Sequence, residues 1–203
     1  MSEKTGPAAD AIPPVCVVLD GVRSLYNVGA VMRACDGAGV TQVHACGITP
    51  YPPPADLRDD PRRGPVAARA ERELRKTALG AYDSVTVTPW PNVESACDTL
   101  RDRGYTLVAI ERTPDALPMW DAPSLSTRPL ALILGHEVDG IAPPVLSQCD
   151  ATVSIPMHGT GHSLNVAIAC AVVLYEVGRR GVTVHGVMAG VRCRVGFGAR
   201  SVE

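Results

Sequence analysis

The sequence predicts an α/β domain, a mostly parallel sheet with helices on both faces. Short apolar runs rich in β-branched residues alternate along the chain with segments of helical periodicity. Those runs are apolar throughout rather than at every second residue, the pattern of strands buried on both faces. Three loops that follow strands, 20–27, 135–140 and 156–162, stand out by their glycine and polar content. They lie at strand ends, where ligands collect in sheets of this kind.

Residues 1–14 hold Gly6, Pro7, Pro13 and Pro14 and read as a flexible N-terminal arm. Residues 15–20 form the first strand, and Asn27 is placed to cap a helix over 28–38 that Gly37 and Gly39 can end. Residues 42–46 are a second strand. Residues 47–70 read as irregular, because Pro50, Pro52, Pro53 and Pro54 exclude a helix there. The segment 58–76 carries Arg58, Arg62, Arg63, Arg69, Arg72, Arg75 and Lys76 against Asp59, Asp60, Glu71 and Glu73. A solvated surface is its plain reading and an RNA contact the alternative. Residues 84–88 are a strand, 92–103 an amphipathic helix with Asn92 as cap and Gly104 as stop, and 105–110 and 129–134 further strands. Residues 151–155 lead through a Gly-rich loop into a helix that Ser163 would open. That helix is apolar from Leu164 to Val177 except for Asn165 and Glu176. A helix apolar all round belongs in a core, so Asn165 must find a partner. The domain is expected to span 15–181, followed by a Gly- and Val-rich tail over 182–203 that has no assignment.

A chain of 203 residues with 46% apolar and 20% charged residues suits one globular domain. The longest apolar run, residues 166–175, is too short to cross a bilayer. Residues 1–14 lack an apolar signal core, so a cytoplasmic protein is expected. Seven cysteines show no Cys-x-x-Cys pair, and neither a zinc site nor a disulfide framework is expected. The net charge of −2 gives no overall basic field, a mild argument against nucleic acid. Yet 17 of the 19 basic residues are arginine, which suits bidentate phosphate recognition, and a local patch needs no basic total. Gly159-Thr160-Gly161 lacks the third glycine of a dinucleotide fingerprint, and neither a phosphate-binding P-loop nor a Gly-x-Ser-x-Gly elbow is present.

The three strand-end loops carry motifs. Asn27-Val28-Gly29-Ala30-Val31-Met32-Arg33, Leu134-Gly135-His136-Glu137-Val138-Asp139-Gly140, and Ile155-Pro156-Met157 through Ser163-Leu164-Asn165-Val166 resemble, in this order, the three motifs of the SpoU/TrmH family of SPOUT-superfamily RNA methyltransferases. Thr77-Ala78-Leu79-Gly80-Ala81 also resembles a segment of some members. The set covers residues 15–178 of the chain. The resemblance implies a C-terminal deep trefoil knot, S-adenosylmethionine as cofactor, methyl transfer to a ribose 2′-hydroxyl of RNA, and a homodimer whose site is completed across the interface. With little room before the first strand for a separate RNA-binding domain, tRNA is favoured over rRNA. A non-catalytic RNA-binding or assembly protein that keeps the fold is the alternative, and intact Arg33, Glu137, Ser163 and Asn165 argue against it.

By the same resemblance the cofactor would meet Gly135, Ile155, Ser163 and Leu164, with Ile110 lining the same pocket. A glycine lets backbone approach a ligand, and aliphatic side chains suit an adenine face. Arg33 matches the catalytic arginine. General base is the usual role, although a guanidinium stays protonated to above ~12 unless cationic crowding lowers it. Alternatively Arg33 grips a phosphate and aligns the hydroxyl for attack. Asn27 would orient Arg33 or touch RNA. Glu137 would pair with an arginine or accept backbone N–H groups, and Asn165 would face the knot loops or the ribose. Arg23 is a candidate phosphate contact. His136 stands where the family often has asparagine, and no metal site is expected.

Overall fold

A computed structural model describes residues 15–54, 56, 60–62, 64–161 and 163–180. The expected arm and tail lie outside them, as do Arg58, Asp59, Arg63 and His162.

In order, the elements are β1 (Val15–Asp20), α1 (Leu25–Gly37), β2 (Gln42–Cys46), α2 (Gly64–Ala78), α3 (Ala81–Ser84), β3 (Thr86–Trp90), α4 (Val93–Asp102), β4 (Thr106–Ile110) and β5 (Leu117–Pro118). A 3-10 turn at Pro123–Ser126 precedes β6 (Leu130–Leu134), α5 (Pro143–Leu146), β7 (Ala151–Ser154) and α6 (Val166–Arg179). The seven strands form one sheet in the order β3-β2-β1-β6-β4-β7-β5. Every named strand pair is parallel. The prolines of the sheet, Pro89 and Pro118, sit on its two edge strands, where a missing N–H costs no central ladder bond.

Strand alternation divides the core in two. Val15, Val17 and Leu19 of β1 pack with Val28, Met32, Leu74 and Leu174 from α1, α2 and α6. Cys16 and Val18 point the other way, among Val93, Ala96 and Leu100 of α4 and Val145 of α5. The sheet is therefore covered on both faces. Because the strands are parallel, the loops after β1, β4, β6 and β7 all emerge from one edge.

Several elements differ from the sequence expectation. Residues 64–78 form a helix rather than an irregular surface. Pro65 lies in its first turn, where proline is favoured, and Ala67, Ala70, Leu74 and Ala78 make a buried stripe at helical spacing. The third strand begins two residues late because Ala81–Ser84 coil into a short helix. α1 begins before Asn27. Its cap is Ser24, whose hydroxyl accepts the Asn27 N–H at 3.3 Å. α6 begins after Ser163. Its cap is Asn165, whose side chain accepts the Ala167 N–H at 2.9 Å. Ser163 is exposed and caps nothing among the described residues. Nor is α6 buried all round, since Ile168 and Tyr175 are 54% and 61% exposed.

The close approach of α1 and α2 rests on one glycine. A Cβ at Gly29 would sit 1.9 Å from Thr77 Oγ1, so the helices could not cross here with a larger residue. Among the described residues no helix is long and apolar enough to cross a membrane.

Candidate active site

With Ser24 capping α1 the Asn27 side chain is left available for tertiary bonds, and Asn165, which caps α6 through its oxygen, keeps its Nδ2 for one. Asn27 is in the first turn of α1 and 7% exposed. Its Nδ2 donates to Glu137 Oε1 at 2.9 Å, and its Oδ1 accepts from Asn165 Nδ2 at 3.0 Å. Glu137 Oε2 accepts the Arg23 backbone N–H at 3.3 Å. One chain of bonds thus joins the loops after β1 and β6 to the N-cap of α6, just beyond the third loop that the sequence singled out. Partial burial works against the Glu137 charge. The Asn27 amide and the backbone N–H groups around it outweigh that effect and hold the carboxyl below its usual range. Glu137 makes no described ion pair with an arginine; it serves as the acceptor that orders the β1–α1 loop.

Beside this chain lies a cavity of about 450 Å³, lined with aliphatic side chains from Ile110, Leu134, Ile155, Leu164 and Val166, together with Gly135, Glu137 and Ser163. Its wall is a tight turn. His136 and Gly140 exchange backbone hydrogen bonds at 3.1 and 3.0 Å, and Gly140 has φ +68°. A Cβ on Gly135 would lie 2.4 Å from the Gly140 carbonyl carbon, so only glycine allows this closure. His136 Nδ1 accepts the Val138 and Asp139 N–H groups, both at 3.2 Å. An asparagine oxygen at this position could cap the turn in the same way, so the departure from the family pattern keeps an acceptor in place. Glu111 also lines the cavity and accepts the Ile141 N–H at 3.0 Å. Sequence reasoning missed Glu111. The available signal was an acid directly after a buried strand end, next to Ile110.

Arg23 and Arg33 lie elsewhere. Both line a second cavity of about 720 Å³ between α1 and α2, which Arg69 and Lys76 of α2 also line. Neither arginine lines the first cavity. Within a single chain, therefore, the structure brings Asn27, Glu137 and Asn165 together, gathers Ile110, Gly135, Ile155, Ser163 and Leu164 around a cavity, and sets Arg33 in an adjoining groove.

A model of the SpoU rRNA Methylase family matches residues 64–175, more than half of the chain. The chain belongs to the SpoU rRNA methylase family. It is 29% identical over 168 residues to the tRNA (guanosine(18)-2′-O)-methyltransferase of Thermus thermophilus, covering 83% of this chain and 76% of that one. It is 34% identical over 169 residues to a 23S rRNA (guanosine-2′-O-)-methyltransferase of Nitrosomonas europaea, covering 83% of this chain but only 57% of the relative. Among solved structures, the SpoU methyltransferase AviRb of Streptomyces viridochromogenes in complex with AdoMet superposes with a TM-score of 0.66 at 26% identity, covering 86% of this chain and 63% of that one. Two of the three motifs lie inside the region that matches the SpoU methylase model.

Proposed function

We propose that the protein is a methyltransferase that uses S-adenosylmethionine to methylate a ribose 2′-hydroxyl of structured RNA. The observation that carries this is the cavity bounded by Gly135, Ile155 and Leu164, locked to the Asn27–Glu137–Asn165 chain and opening beside a groove that holds Arg33.

The residues fit the cofactor. The volume falls in the range of about 300–1,000 Å³ typical of small-molecule sites. Ile110, Ile155 and Leu164 offer an apolar surface to a purine, the cramped turn at Gly135 offers backbone polar groups, and Glu111, Glu137 and Asp139 place carboxylates around a ligand that carries a cationic centre. When bound there, the cofactor supplies a methyl group on a positively charged sulfur, and proximity and alignment remain for the protein to provide. Glu137, held ionised, fixes Asn27 and the β1–α1 loop. Asn165 ties α6 to the same point, and Ser163 lines the cavity close by. Arg33 projects from α1 into the groove and grips the RNA so that the hydroxyl is aligned for attack. The reading of Arg33 as a positioning cation rests on its exposed place among other cations.

The active form is a homodimer acting in the cytoplasm. Ile168 and Tyr175, large apolar side chains exposed on α6, support the dimer. Strand order supports the knot, because the late strands β6 and β7 lie between strands formed earlier in the chain. The relatives include both a tRNA and an rRNA methyltransferase, and of the two substrates tRNA is the one proposed here, to be set against rRNA directly.

The deciding experiment is transfer of labelled methyl from S-adenosylmethionine to total tRNA and to total rRNA, with calorimetry of cofactor binding alongside. Methylated ribose in one RNA pool is the expected outcome. Cofactor binding without transfer to either pool would overturn the reading.

A further inference from the structure

The basic residues of α2 are sorted by face in a way the sequence does not reveal. Arg72 pairs with Glu73 at 3.1 Å. Arg75 pairs with Glu71 at 3.2 Å and Asp83 at 3.5 Å, and its guanidinium lies 4.1 Å over the Tyr82 ring. These are the cations that do not line the groove. The two that do, Arg69 and Lys76, are exposed, and their side chains make no hydrogen bond or ion pair among the described residues. The same is true of the Arg23 and Arg33 side chains across the groove. Among the described residues the only carboxylate lining it is Glu73, which Arg72 already engages. The groove therefore presents four unneutralised cations, set on a close helix crossing that Gly29 and Thr77 hold rigid.

Resting on the RNA methyltransferase reading, we propose that Arg69 and Lys76 bind phosphodiesters of the substrate on the strand that carries the target ribose. They lie seven residues apart on one helix face, about 10 Å along the axis. That spacing suits successive phosphates of one strand, so each takes its own. Arg69 offers a planar fork and Lys76 a point charge. α2 thus serves as the rail that sets the RNA register, while Arg33 acts at the ribose itself.

The test is RNA binding by filter retention, with total tRNA and total rRNA as probes, across a series of salt concentrations. Arg69→Ala and Lys76→Ala should each lower affinity about fivefold and flatten the log–log salt dependence by about 0.7–0.9, the amount expected per lost phosphate contact. Arg69→Lys and Lys76→Arg should restore most of the slope. Arg72→Ala and Arg75→Ala, on the same helix, should leave it nearly unchanged, and calorimetry should show cofactor affinity intact in all variants. An unchanged slope in the Arg69→Ala/Lys76→Ala double variant overturns the proposal. Equal losses in the Arg72 and Arg75 controls overturn it too, as does wild-type protein that retains neither RNA. If an alanine variant fails to fold, Arg69→Gln and Lys76→Gln give the same reading. The binding slope is measured without methyl transfer, so failure of the catalytic reading shows separately as wild-type protein that binds RNA and modifies none.

Discussion

The two cavities of this domain are built on opposite principles. Around the cavity beside Gly135 the polar groups that build its wall, and the chain of bonds next to it, are already engaged. Glu137, Asn27 and Asn165 satisfy one another, His136 caps its own turn, and Glu111 holds the Ile141 amide. In the groove between α1 and α2 the cations are left without partners. The difference follows from solvent. A part-buried amide or carboxylate without a partner costs about 1–3 kcal/mol, so a pocket for a small ligand must be wired in advance. An exposed cation loses little by waiting, because surface ion pairs are worth at most about 1 kcal/mol. The first region is pre-organised for one small molecule. The second is held ready for a polyanion that supplies its own counter-charges.

The largest break in this comparison should come from Arg33→Ala. It removes a groove cation and nothing from the cavity, so methyl transfer should fall by about 10³-fold or more while cofactor affinity stays within about twofold. Labelled transfer and calorimetry read the two separately, and normal turnover would remove Arg33 from the mechanism. Gly135→Ala should do the reverse. Its Cβ would press on the Gly140 carbonyl at 2.4 Å and on Ile141, opening the turn that walls the cavity. Cofactor affinity should drop about 10- to 100-fold, with the salt dependence of RNA binding unmoved. A variant that binds cofactor as well as the wild type would show that this turn is not part of the cofactor site. Asn27→Ala should fall between them. It leaves Glu137 and Asn165 each short of a partner, at a stability cost of about 2 kcal/mol, and cofactor affinity should weaken about tenfold. Thermal melts with and without cofactor check both effects.

The sheet was legible because burial on both faces writes itself into composition. β1 and β2 have the bounds their apolar runs suggest, and β4, β6 and β7 agree to within a residue. α4 was equally plain, since Asn92 caps it through the Ser95 N–H at 2.9 Å. Helix starts were not. Ser24 and Asn27 are both good caps three residues apart, as are Ser163 and Asn165 two apart, and local chemistry cannot choose between them. The choice is tertiary: Asn27 is held by Glu137 and Asn165, so Ser24 caps α1, while Asn165 caps α6 with its oxygen and reaches Asn27 with its Nδ2. α2 was hidden behind the prolines before it and the charges on its surface. Within that charged run, the distinction between Arg69 or Lys76 and Arg72 or Arg75 depends on which acid each cation reaches in space. Glu111 was passed over because its role is to hold an amide 30 residues away.

The smallest expected effect sharpens the comparison by leaving both cavities alone. At the far end of α6 from Asn165, Glu176 receives Arg179 at 2.7 Å and Arg180 at 2.8 Å, and Arg180 also donates to the carbonyls of Met119, Trp120 and Ala122. The Arg179 hydrogen bonds pull the Glu176 carboxyl down to about 2, against the effect of its burial, with Arg180 adding to the pull. A carboxyl with a folded-state pKa below its unfolded value near 4.5 stabilises fully above that value, and the contribution is lost as pH falls towards 2. Glu176→Gln should lower the neutral-pH melting temperature by about 3 °C and flatten the acid limb of the stability profile between pH ~4.5 and ~2. It should change neither cofactor affinity nor the salt slope of RNA binding. A shift in either would mean that the contact between residues 119–122 and the C-terminal end of α6 reaches the site through the helix. α6 would then couple the cavity and the groove, and their independence, on which the contrast between a wired pocket and a waiting groove depends, would be lost.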